Sequence, residues 1–168
     1  MTGVDSPVRL SDRLPRALPT LSIALAALLM SAPLPLPLSI LPNLPLLLLI
    51  CWLWVMPSLL PSWLAFLLGL LLDAVTGAPL GLNATLFALA VVAVPLSDTM
   101  MDAHSLLLDW LFAALLIIGF QLLSWGLLAL VNRPVAPLLL LAQAGTSILA
   151  YPLAVWLVER LQRRLIRS

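Results

Sequence analysis

Residues 44–56 read LPLLLLICWLWVM, a run with no charged side chain and no alternation of apolar with polar positions. A transmembrane barrel strand alternates over about 10 residues, so this run is not one. A backbone in lipid that closes no barrel satisfies its own N–H and C=O groups only as a helix. The surrounding composition extends the reading. Of the 168 residues, 63% are hydrophobic and 9% are charged, against about 25% charged in a soluble domain. Charges are absent from residues 17–72, 74–97, 110–132 and 134–158, and a spanning helix needs about 20 mostly apolar residues. The expected fold class is an all-α integral membrane protein, a polytopic helical bundle.

Prolines and charges divide that bundle into six expected spans, at residues 17–36, 44–60, 61–75, 80–96, 106–131 and 134–158. The third opens at Pro61 or Ser62. Pro33, Pro35 and Pro37 close the first span, because each proline removes a donor and clashes one turn back, and the run reads as an extended connector. Basic residues cluster at the two ends, as Arg9, Arg13 and Arg16 and then Arg160, Arg163, Arg164 and Arg167. Basic residues stay cytoplasmic, which puts both ends on one side and requires an even number of spans. A five-span bundle would translocate four arginines. Asp98, Asp102 and Asp109 then border a cytoplasmic loop and Arg133 lies outside, but acidic residues weigh little in orientation. The organisation expected is a cytoplasmic arm at 1–16, a transmembrane bundle at 17–158 and a basic cytoplasmic tail at 159–168. The mixed charge of the arm and the lack of a small-residue cleavage site read as no cleaved signal. Trp63 and Trp110 stand near span starts, where the headgroup layer suits an amphipathic ring; Trp52, Trp54, Trp125 and Trp156 fit that account less directly.

Reactive groups are sparse. His104 is the single histidine and Cys51 the single cysteine, so no intramolecular disulfide forms and no Cys/His metal cluster can be assembled. The chain has no HExxH, no GxSxG elbow and no Gly-rich phosphate loop. Asp102 and His104 read as solvated loop residues. The sequence therefore points away from an enzyme, a bound cofactor and nucleic acid.

The stretch with most to say is FLLGLLLDAVTGAPLGLNATLFAL at residues 66–89. It sets Asp73 directly after a strongly apolar helix and follows it with Gly77, Pro79 and Gly81. Intramembrane acids usually face the bundle interior and mark a functional site; the plainer reading is that Asp73 ends a span at the interface and the glycines form the turn. Gly69 lies four residues before Asp73 and shares its helix face, where it admits another backbone. Gly77 and Gly81 formally make a GxxxG, but Pro79 between them favours a turn. Asn83-Ala84-Thr85 matches a glycosylation acceptor, yet it opens an apolar span and reads as a polar helix start.

Gly69-Leu70, Asp73, Gly77, Pro79 and Gly81-Leu82-Asn83 resemble the central motif of the bacterial rod shape-determining MreD family, and Trp52 and Pro57 resemble its aromatic-to-proline step before the motif helix. The chain departs from that family in having no basic residue at 58–62. The resemblance implies a non-enzymatic component of the inner (cytoplasmic) membrane in the cell-elongation complex. Its implied partner is an MreC-like membrane-anchored protein, and through it the MreB filament and the peptidoglycan polymerase and transpeptidase. It also implies a bundle like the substrate-binding components of vitamin transporters, which keeps small-molecule transport as the alternative. Small-residue helix faces such as Ala65, Gly69, Ala84 and Ala88 would then hold partners. A transporter would instead gather Gln121, Ser124, Gln143 and Thr146 with Asp73 around a wet chamber.

Arg160, Arg163, Arg164 and Arg167 follow the i, i+3, i+4, i+7 pattern of one helix face. Two readings stand, contact with anionic membrane lipid and fixing of topology. Neutralising all four together is expected to scramble the orientation of the last span, read by a reporter fused after Ser168; a reporter that stays cytoplasmic refutes it.

Overall fold

The computed structural model describes residues 10–31, 41–98, 106–130 and 136–166. Among these the chain is all-helical: α1 (Leu10–Ser31), α2 (Leu44–Val55), a 3-10 turn (Pro57–Leu59), α3 (Ser62–Thr76), α4 (Leu82–Asp98), α5 (Leu106–Leu130) and α6 (Pro137–Ile166). The order matches the six expected segments, and the boundaries shift for local reasons. α1 starts at Leu10, inside the Arg-bearing arm, and α6 runs through the 158/159 boundary into the basic tail. α2 stops at Val55, short of the expected 60, because the residue before a proline avoids helical backbone. Met56 accordingly sits at φ −149° and Pro57 opens the 3-10 turn. The Pro33, Pro35 and Pro37 connector lies outside the described residues.

α2 occupies the middle. A helix apolar all round belongs in a core, and Leu46, Leu47, Leu49, Ile50, Cys51, Trp52 and Leu53 are all buried as α2 packs against α1, α4 and α6. Asn43 caps its start, accepting from the Leu46 N–H at 3.3 Å, with Pro45 in the first turn where a missing donor costs nothing. The Asn43 N–H donates to Ser147 Oγ on α6 at 3.0 Å, and the Trp52 indole donates to Ser22 Oγ on α1 at 2.9 Å. The Trp52 ring is thus a core side chain and not an interface anchor.

Two helices among the described residues are long and apolar enough to cross a membrane, over Leu107–Leu130 and Pro137–Arg163. Only 33% and 17% of these windows is buried among the described residues, less than is usual for the core helix of a soluble domain. Leu111, Leu115, Leu122, Leu138, Leu141 and Leu149 stand outward. The apolar stretches Ala17–Met30, Leu44–Val55, Ser62–Thr76 and Leu82–Val94 are shorter.

α5 and α6 are tied by a repair. Pro152 lies inside α6 and lacks the N–H that would bond the carbonyl one turn back. That carbonyl belongs to Ile148, and the Trp110 indole on α5 donates to it at 3.1 Å. Trp110→Phe is expected to lower stability by about 1–2 kcal/mol. The loss should shrink in a Pro152→Ala background, where the restored backbone N–H supplies the donor. A double-mutant cycle of unfolding midpoints in detergent checks this, and two independent, additive effects would refute the tie.

Candidate functional site

α3 packs chiefly on α4, and the residues of the 66–89 motif all serve that joint. Gly69 sits where the two backbones touch: a Cβ there would lie 2.5 Å from Ala84 Cα and 2.5 Å from Asn83 O. No side chain fits in that space, so the glycine sets the helix separation. One turn on, Asp73 points into the same interface and is completely buried.

The turn between the helices needs left-handed backbone twice, at Gly77 with φ 69° and Gly81 with φ 96°, conformations that cost glycine nothing and other residues about 1–2 kcal/mol. Gly77 ends α3, and the Ala78 N–H bonds back to Asp73 O at 3.1 Å in the manner of a Schellman cap. Pro79 contributes its carbonyl, which accepts from the Leu82 N–H at 3.1 Å.

The first backbone N–H groups of any helix lack an intrahelical acceptor. At α4 the Asp73 carboxylate supplies it from the neighbouring helix. Its Oδ2 accepts from the Gly81 N–H at 2.9 Å and the Ala84 N–H at 3.4 Å. Its Oδ1 accepts from the Asn83 N–H at 3.0 Å and the Asn83 side-chain amide at 2.8 Å. With Leu82 bonded to Pro79 O and Thr85 to Gly81 O at 3.0 Å, every donor at this helix start is matched. A carboxylate at a helix N-terminus also meets the positive end of the macrodipole. Asp73 is therefore both inward-facing and at the end of its helix, and both of its oxygens are engaged in holding α4.

Gly69, Asp73, Gly77, Pro79, Gly81 and Asn83 are thus brought together in one joint. The structure corrects one expectation about it. Ala65, Gly69 and Ala84 are buried within the bundle and Ala88 is half-buried, so this small-residue face grips the chain's own neighbouring helix and is not offered to a partner.

The other polar residues of the helices are paired elsewhere. The Gln121 amide on α5 donates to Gln143 Oε1 on α6 at 2.8 Å and to Leu140 O at 3.4 Å. Thr146 Oγ1 donates to Gln143 O at 3.0 Å. Ser124 and Ser147 are buried. In the tail, Arg163 pairs with Glu159 at 2.8 Å on the exposed face, and the Arg160 guanidinium lies 5.0 Å from the centre of the Trp156 ring. Arg167 and the Arg164 side chain lie outside the described residues, as do Asp102 and His104. Among the described residues no cluster of His, Cys, Asp and Glu could hold a metal ion.

Comparison of the chain with family models, curated proteins and solved structures finds no match.

Asp73→Ala leaves three backbone donors and the Asn83 amide without their acceptor, and about 3 kcal/mol of stability should go with them. Asp73→Asn is expected to lose less, because one oxygen remains. Gly69→Ala forces the helices apart at a cost of about 1–3 kcal/mol. Thermal unfolding of the purified protein in mild detergent reads all three, and wild-type midpoints for Asp73→Ala and Gly69→Ala would refute the joint.

Proposed function

We propose that this chain is a non-enzymatic component of the bacterial cell-elongation machinery, similar to MreD. In this reading it sits in the inner membrane as a six-span bundle with both termini cytoplasmic and scaffolds an MreC-like partner. Through that partner it meets the MreB filament and the peptidoglycan polymerase and transpeptidase. The observation that carries the reading is that the motif residues behind the resemblance, Asp73 with its glycines and Asn83, serve one structural joint. A buried acid whose oxygens both hold a neighbouring helix is architecture, and shape is what a scaffold supplies. In this reading the four shorter apolar helices cross with α5 and α6.

With Ala65, Gly69 and Ala84 turned inward, a partner would meet outward apolar faces such as the leucines of α5 and α6. Helices associate in lipid through close packing and not through hydrophobic exclusion, so the contact would be made by shape. The vitamin-transporter alternative needs polar side chains around a wet chamber. Against it stands the pairing of Gln121 with Gln143 across two helices and of Asp73 with α4.

In cells depleted of the chain and complemented with variants, Asp73→Leu should round the cells and reduce co-purification of an MreC-like protein, while Asp102→Leu should do neither. Rods maintained under full depletion would sink the proposal.

A further inference from the structure

α1, α2 and α6 do not close on one another. Between them runs a groove of about 370 Å³. Its walls are aliphatic, with Leu25 and Leu29 from α1, Leu48 from α2, and Leu153, Ala154 and Leu157 from α6. The two polar side chains on its rim are already engaged with each other, Trp52 Nε1 donating to Ser22 Oγ at 2.9 Å and Ser22 Oγ donating to Pro19 O at 2.9 Å. The walls therefore offer a ligand no hydrogen bonds and suit a hydrocarbon chain.

One end is different. The lining continues along α6 through Val158 to Leu161, and at that level the helix carries basic side chains. Arg160 is exposed and rests on the Trp156 ring, while Glu159 is taken up by Arg163. A cation held by stacking at the mouth of an apolar slot selects a molecule with a hydrocarbon tail and an anionic head.

We infer that this groove seats one anionic phospholipid, an acyl chain lying between α1, α2 and α6 and the phosphate meeting Arg160. The inference rests on the membrane setting and is independent of the partner proposed above. The lipid fills the space that the described residues of α1, α2 and α6 leave between them, and it draws the tail of α6 to the membrane surface.

The test is native mass spectrometry of the full chain, delipidated in mild detergent and then offered phosphatidylglycerol or phosphatidylcholine with the same acyl chains. One phosphatidylglycerol should be retained per chain, and Arg160→Gln should weaken its retention by about fivefold, the effect of one basic side chain at a membrane surface. Ala154→Phe, which fills the groove, should abolish retention of both lipids; where it fails to fold, Ala150→Leu at the same wall does the same service. Equal retention of the two lipids by the wild type, or unchanged retention in the filled variants, overturns the inference. So does a dimer in place of the lipid adduct.

Discussion

The arrangement turns on a carboxylate on one helix holding the first N–H groups of the next. Those N–H groups have no acceptor of their own, and away from water each unmatched one costs several kcal/mol. Asp73 removes that cost for Gly81, Asn83 and Ala84 at once, which fixes where α4 begins and how it faces α3. Gly69 can be in backbone contact with Ala84 only because the start of α4 is pinned one turn away. From that hairpin the contacts spread, α3 to α1 and α4 to α2.

The same economy of polar groups recurs through the bundle. The Ile148 carbonyl orphaned by Pro152 is met by Trp110, the Asn43 N–H by Ser147, and Gln121 by Gln143. Each is a single directional bond between helices whose remaining contacts are aliphatic, and such bonds set register where close packing alone permits sliding. One group stands apart: the buried Trp54 Nε1 has no hydrogen-bond partner among the described residues, and its ring meets Phe112 edge-on at 5.9 Å. With polar side chains given to internal ties, the outward faces of α5 and α6 are left largely to leucines.

Much of this was legible in the residues. Charge-free runs and prolines located the helices, and Pro57 and Gly81 account for the places where ends moved by a few positions. The four-residue spacing of Gly69 and Asp73 placed them on one face. What the spacing did not give was the direction of that face, because an apolar helix carries no polar side to orient it. The small residues at 65, 69, 84 and 88 therefore read as a surface for partners although they face inward, and the partner of Asp73 was hidden because backbone donors leave no trace in a sequence. The role of Trp110 was hidden in the same way. Its acceptor is a carbonyl freed by a proline on another helix, at a sequence distance of 38.

The central position of α2 bears on how the chain is assembled. One of its flanks is formed by α6, which is made well after it and reached through the bond from Asn43 to Ser147 across 104 positions. Until α6 has been made, the most apolar of the described helices must hold its place with that side uncovered. Closure of the centre is therefore coupled to synthesis through α6, and a chain cut before it would keep the α3–α4 hairpin but lack that wall.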